Sequence, residues 1–246
     1  MIEGVTFDWW NTLAVSSPDQ DKRLRTLRME RLGPSLKRLP AGSAPTKAAL
    51  LAAYDRQTEI LSEAWGRGVD LHPAEQIATF LRLAGLDGVA ASLTDAATEA
   101  FGGALLEIPP TLFAHTAETL KWLKAGGYAV GLVSNTGRTW GRYLRQVQDR
   151  LGVGRYFDAR IFSDEVGIRK PEAGIFEVAL SELGLPRDRV VHIGDDVTAD
   201  IAGAKAHGMR AIWFNTGFWR DTTTDKADAE IADHAELPAL LRGWRA

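Results

Sequence analysis

The sequence predicts an α/β protein: a parallel sheet flanked by helices, interrupted after its first strand by an all-helical insertion. Two observations carry this. From about residue 108 onward, short apolar runs alternate with amphipathic segments, the pattern of a parallel sheet with crossover helices. Residues 15–107, in contrast, read almost entirely as helix, with a lone apolar run in front of them.

That first run, Val5-Thr6-Phe7, ends in Asp8, followed by Trp9, Trp10, Asn11, Thr12 and Leu13. Ser16-Ser17-Pro18-Asp19 is a loop and a helix start. A helix is predicted from about Gln20 to Leu39, with Leu24, Leu27, Met29 and Leu32 on one face and a solvated basic face opposite. Pro40 to Pro45 breaks it. A second helix runs from about Thr46 to Trp65 and stops at Gly66-Arg67-Gly68. A third runs from Pro73 to Gly85, and a fourth from about Ser92 to Leu106. Pro109-Pro110 marks a boundary.

The alternation then begins. A helix over His115 to Ala125 leads to a strand over Tyr128 to Val133, which ends in Ser134-Asn135-Thr136. A helix over Trp140 to Leu151 leads to a strand over Ala159 to Phe162. Lys170 lies in the loop before a helix over Pro171 to Leu183. The strand Val190 to Ile193 ends in Gly194-Asp195-Asp196. A helix over Asp200 to His207 and a strand over Ala211 to Phe214 follow. Residues 218–235 read as an irregular polar loop and Leu237 to Leu241 as a short terminal helix. The expected division is a sheet core of residues 1–14 and 108–246, with residues 15–107 inserted over the carboxyl ends of the strands as a lid.

Composition narrows the function. Of 246 residues, 45% are hydrophobic, enough for a substantial core. A formal net charge of −3 argues against a nucleic-acid partner. The absence of cysteine removes thiolate chemistry and zinc-thiolate sites. Met1-Ile2-Glu3-Gly4 lacks the features of a signal peptide, and no apolar run approaches the ~20 residues of a membrane span. The expectation is a cytoplasmic monomer or homodimer acting on a small anionic molecule, with no membrane partner.

Strand ends are where parallel sheets do chemistry, and here they carry Asp8, Ser134, Asn135, Asp195 and Asp196, with Lys170 and Asp200 close behind. Singly, each has an ordinary structural reading: a turn former, a helix cap or a surface lysine. Jointly they suit attack on an anionic electrophile. Asp8 is a candidate nucleophile, Lys170 and a divalent cation offset charge repulsion, and oxygen ligands from Asp8 and Asp195 suit Mg²⁺. Ser134 and Asn135 are placed to bind transferring oxygens.

These stretches resemble the four motifs of the haloacid dehalogenase-like hydrolases, a superfamily dominated by phosphatases. Asp8 to Leu13 resembles the first, Val133-Ser134-Asn135 the second, Val166 to Pro171 the third, and Ile193-Gly194-Asp195-Asp196 with Asp200 the fourth. The resemblance implies a Rossmann-like parallel core with a helical cap and Asp8 as nucleophile. It implies Mg²⁺ held by Asp8, by the backbone carbonyl of Trp10 and by Asp195, with Asp196 and Asp200 in or near the layer of residues around those ligands. Thr12 and Ser134 would hold the phosphoryl group, and Lys170 would stabilise its charge.

The pattern breaks at Trp10. Family phosphatases usually carry a second Asp there, which protonates the leaving group, and usually Gly where this chain has Asn11. Such acid catalysis is worth ~10²–10⁴-fold. Three readings follow. The first is a Mg²⁺ phosphohydrolase acting on a stable leaving group or drawing an acid from the cap, His72 being the nearest guess. The second is a 2-haloacid dehalogenase, since family dehalogenases carry an aromatic residue there and halide leaves without a proton. The third is a ligand-binding protein with little turnover. Trp9, Trp10 and Asn11 are expected to border the substrate, the two indoles alternatively packing beneath the cap.

Overall fold

The computed structural model describes residues 1–220 and 222–244. A six-stranded, wholly parallel sheet forms the centre. Its strands are β1 (Gly4–Phe7), β4 (Ala129–Ser134), β5 (Ala159–Phe162), β6 (Val190–Gly194), β7 (Arg210–Phe214) and β8 (Ala229–Ile231), in the order β5-β4-β1-β6-β7-β8. Strand β1 is central, with Phe7 in register with Leu132 of β4 and Ile193 of β6. The chain leaves β1 toward one side of the sheet and later returns to its other side. The carboxyl ends of β4, β1 and β6 therefore border a switch point, where open parallel sheets bind ligands.

Strand alternation divides the core. Val5, Phe7, Val130 and Leu132 face one side, packing with Leu120 and Leu123 of α5 (Thr116–Ala125) and Leu144 and Val147 of α6 (Gly141–Arg150). Val133 and Ile161 face the other side, against Ile175, Phe176 and Ala179 of α8 (Ala173–Leu183).

Between β1 and β4 lie α1 (Pro18–Leu36), α2 (Lys47–Trp65), α3 (Pro73–Leu83) and α4 (Ala90–Glu107), which bury a core of their own around Leu32, Leu81 and the mutually tilted rings of Phe80 and Phe101. Ser17 opens α1 with a reciprocal cap to Gln20, and Thr46 caps α2. The two ends of this block are tied by an antiparallel pair that the sequence did not announce, β2 (Ala14–Val15) with β3 (Thr111–Leu112). The block also reaches back to the sheet. Val69 bridges Ile168, and the Arg169 amide donates to the Gly68 carbonyl at 3.0 Å.

Some boundaries differ from expectation. The first helix ends at Leu36, three residues early, with Pro34 in its last turn. The expected helix from Asp200 begins earlier, as a wide π-helical turn, Val197–Ala202, running into α9 (Gly203–Ala206). Residues 218–235 are not all irregular: β8 adds the sixth strand by pairing with β7, and α10 (Leu237–Gly243) follows. Asp221 of that stretch, and Arg245 and Ala246 at the end of the expected core segment, lie outside the described residues. Among the described residues no helix is long and apolar enough to cross a membrane.

Candidate active site

Asp8 follows β1 directly, and its amide donates to the Ile193 carbonyl at 2.9 Å, which fixes it between the ends of β1 and β6. The next residues turn sharply, with Asn11 in the left-handed region at φ 56°, a conformation Asn tolerates better than most side chains. The Asn11 amide donates to the Ala14 carbonyl, and the Leu13 and Ala14 amides both donate to the Trp9 carbonyl. Among the described residues the carbonyl of Trp10 accepts none of these turn bonds.

Lys170 is buried, its ammonium 2.8 Å from Asp8 Oδ1 and 2.7 Å from Asp200 Oδ1. Asn135 sets the lysine's backbone by a two-point clamp: its Nδ2 donates to the Lys170 carbonyl at 3.1 Å and its Oδ1 accepts from the Lys170 amide at 2.9 Å. Asp200 reaches the cluster because residue 194 is glycine. A Cβ on Gly194 would lie 2.1 Å from the Asp200 carboxyl carbon. Asp200 Oδ2 also accepts from the Asp196 amide at 3.0 Å.

Behind Asp200 stands His192, wholly buried on β6, with Nε2 3.0 Å from Asp200 Oδ1 and Nδ1 2.9 Å from Thr6 Oγ1. A neutral ring protonated on Nε2 satisfies both, donating to the carboxylate and accepting from the threonine. Burial lowers the imidazole's proton affinity and favours that form.

Asp8, Asp195 and Asp200 each offer an oxygen within 4.8 Å of the others. Burial, opposed by Lys170 and reinforced by Asp200, raises Asp8 to about 6. Burial, then Asp8 and Asp200, push Asp195 up to about 8. Asp200 is also buried, but Lys170 and His192 together hold it well below the usual carboxylate range. The site thus sets three carboxylates against one ammonium and a neutral imidazole. That excess of negative charge, on hard oxygen donors, fits a divalent cation.

The pocket over Asp8 measures about 170 Å³ and brings together Trp10, Asn11, Asn135, Lys170, Asp195, Asp196 and Asp200 from among the sequence-derived candidates. Asp196 contributes differently from expectation. Its Oδ1 caps the following turn, accepting from the Thr198 and Ala199 amides at 2.8 and 2.9 Å, and its carboxylate is not part of the three-Asp cluster.

Trp9, Thr12 and Ser134 are not walls of this pocket. Trp9 is fully buried within the sheet core, so packing rather than substrate contact describes it. Thr12 Oγ1 donates to Asp195 Oδ1 at 3.2 Å and orients that carboxylate. Ser134 Oγ is buried with no hydrogen-bond partner among the described residues. His72 caps α3 with its Nδ1 2.7 Å from the Asp164 carbonyl, and it lies outside the pocket.

Sequence reasoning passed over several contributors. Trp219 Nε1, from the loop after β7, donates to Asp195 Oδ2 at 2.7 Å, while Trp213 Nε1 donates to the Asp195 carbonyl at 2.9 Å. Arg169 lines the pocket and pairs at 2.7 Å with Asp70, a buried carboxylate brought by the α2–α3 loop. His192, a polar residue inside the apolar run of β6, was the legible signal among the buried supports.

The sequence profile of the haloacid dehalogenase-like hydrolases matches residues 2–208, most of the chain. The protein belongs to that family. Its relatives with known activities match in part. A glyceraldehyde 3-phosphate phosphatase of Methanothermobacter thermautotrophicus is 41% identical over 106 residues, 42% of this chain and 45% of that protein. One of Methanocaldococcus jannaschii is 34% identical over 136 residues, 54% and 58% of the two chains. The chain thus spans about half the length of the curated relatives it matches. Solved haloacid dehalogenase-like structures align nearly end to end. A HAD phosphatase from Thermococcus onnurineus has a TM-score of 0.66 at 27% identity, covering 98% of this chain and 99% of that one. A 2-haloacid dehalogenase from Pseudomonas syringae pv. Tomato has a TM-score of 0.71 at 25% identity, covering 99% and 100%. Both chemistries are therefore represented on this haloacid dehalogenase-like fold, and the site itself must separate them.

Proposed function

We propose that this chain is a Mg²⁺-dependent phosphohydrolase of small phosphorylated metabolites, with Asp8 as nucleophile. One observation carries the reading: three mutually close carboxylates, Asp8, Asp195 and Asp200, face a single ammonium. In this reading the cation is held by Asp8, Asp195 and the Trp10 carbonyl, and it supplies charge neutralisation for an incoming phosphoryl group. Asp200 with His192 behind it holds Lys170 in place, and Asp196 shapes the adjoining turn.

Asp8 attacks phosphorus through one carboxylate oxygen, and the bond from phosphorus to the leaving oxygen breaks. Water then cleaves the aspartyl phosphate, releasing phosphate and restoring Asp8. Lys170 holds the Asp8 carboxylate and offsets phosphoryl charge. Trp10 gives no proton to the leaving oxygen, so the reading favours acyl or aryl phosphates, whose leaving groups are already stable anions. Residues 15–107 are read as the cap, because α1 and α2 wall a chamber that opens beside Asp8.

Trp10 itself supports the second reading, 2-haloacid dehalogenation, which needs no proton on the leaving halide. The surplus of carboxylates counts against it. Hydrolysis of 4-nitrophenyl phosphate, acetyl phosphate and 2-chloropropionate, each with Mg²⁺ and with EDTA, separates the two. Phosphate release abolished by EDTA is expected. Halide release that persists in EDTA would replace the proposal with the dehalogenase reading.

A further inference from the structure

Beside the Asp8 pocket, and sharing Trp10 and Asn11 with it, lies a larger cavity of about 480 Å³ between the helical block and the sheet. Two of its walls are guanidinium groups, Arg28 of α1 and Arg138 of the loop after β4. Arg28 is 4% exposed, and its hydrogen bonds go to the Phe101 carbonyl, the Tyr54 hydroxyl and the Arg138 carbonyl. Arg138 donates from Nε to Gln57 Oε1 and from Nη2 to the Tyr54 carbonyl and Thr58 Oγ1. Its Nη1 donates to none of these, and its guanidinium stacks 4.0 Å over the Tyr54 ring.

Every one of those acceptors is neutral. Neighbouring arginines of the same helix are paired: Arg25 with Asp55 and Arg31 with Glu107. Among the described residues neither Arg28 nor Arg138 has an ion-pair partner. Asp21, the carboxylate in the cavity wall among the described residues, is exposed and feels the charge of Arg28 but forms no ion pair with either guanidinium. Arg28 is buried and Arg138 half-buried, and among the described residues no carboxylate pairs directly with either; that arrangement is costly, and stacking on Tyr54 offsets only part of the cost. Burial and the charge of Arg28 weaken the hold of Arg138 on its proton, opposed in part by Tyr54 and Asp55.

We infer that this cavity receives a second anionic group, a carboxylate or a phosphate on the leaving-group end of the substrate, bound by Arg138 with Arg28 beside it. The inference rests on the phosphohydrolase reading for the identity of the first anion, and it adds a requirement: the substrate is anionic at both ends. Phosphoryl group over Asp8 and second anion over Arg138 would then straddle Trp10, whose indole lines both cavities.

The test is binding, so it does not depend on turnover. Isothermal titration of the full chain in Mg²⁺ compares propylphosphonate with phosphonoacetate, 3-phosphonopropionate, 4-phosphonobutyrate and propane-1,3-diphosphonate. At least one doubly anionic ligand should bind about tenfold or more tighter than propylphosphonate, the scale of a charge-assisted hydrogen-bonded pair. Whether a carboxylate or the second phosphonate gains more identifies the group. On a chain of net charge −3, such a gain is not bulk attraction. Arg138→Gln should bring the affinities together, and Arg138→Lys should keep part of the difference. Equal affinities in the wild-type protein, or no binding of any of the five, overturn the inference. Loss of the phosphohydrolase reading would show instead as absent phosphate release with the affinity difference intact.

Discussion

The Trp219 indole donates to Asp195 Oδ2 at 2.7 Å, so the loop after β7 closes directly onto the carboxylate cluster. That bond favours the ionised form of a carboxyl that burial and its acidic neighbours push up to about 8. Trp219→Phe removes the donor and lets Asp195 rise further. At pH 7 the proton then competes better with the cation. Magnesium affinity of the variant, measured by calorimetry, should fall up to about tenfold at pH 7 and approach the wild-type value at pH 9. An equal deficit at both pH values would show that Trp219 acts by packing alone.

Asp8 illustrates a site that trades stability for chemistry. Its carboxylate is buried against Asp195 and Asp200, and Lys170, helped by the Trp9 backbone, compensates it in part. Asp8→Asn should abolish turnover, since an amide neither attacks phosphorus nor halocarbon. It also removes one of three crowded charges. Thermal unfolding in EDTA should therefore show a midpoint equal to or above that of the wild type. Retained turnover would end the covalent mechanism in both of its forms.

The sheet and the helical block were legible because apolar periodicity reports burial, and the strand ends because polar residues interrupt it there. What the sequence hid was what three-dimensional pairing decides. Strand β8 is three residues long and only its end is fully buried, so it carries no apolar run. Trp219 sits in an exposed polar loop, where nothing local distinguishes it from Phe218. Motif position alone points Thr12 to the phosphoryl group and Asp196 to the metal's surroundings. Their side chains orient Asp195 and cap a turn, contacts that depend on rotamers. Arg28 belongs to a helix face that reads as solvated, and Arg138 lies 110 residues away, so nothing local joins them.

Asp164 offers a pH test away from the carboxylate cluster. It accepts from the Gly141 amide at the start of α6, and burial raises it to about 6 from 3.8. The folded state holds its proton more tightly than the unfolded chain. Its favourable contribution is therefore complete below the unfolded value and is lost as pH rises through about 6. The shift corresponds to about 3 kcal/mol at most. Asp164→Asn keeps an acceptor for Gly141 and does not ionise. Urea unfolding at pH 4.5 and 7.5 should show the variant gaining about 1–3 kcal/mol on the wild type at the higher pH. A constant difference would mean that Asp164 titrates normally in the folded protein.

Among the described residues Lys170 is the one cation between Asp8 and Asp200, and Lys170→Met leaves their carboxylates buried without it. Removing one partner of a buried ion pair costs about 3–5 kcal/mol, and urea unfolding at pH 7 in EDTA should show a loss of that order. Two conditions should shrink it. In the wild type, Lys170 and His192 hold Asp200 well below 3.8, so its favourable contribution is present at neutral pH and lost only far into acid. Without the lysine, Asp8 and Asp200 take up protons at higher pH, and the variant should recover relative to the wild type as pH falls from 7 to 5. Magnesium should also restore part of the loss, because a dication neutralises the same oxygens that the ammonium served. Recovery in acid without recovery in magnesium would leave the carboxylates crowded as described but would remove the cation from the proposed function.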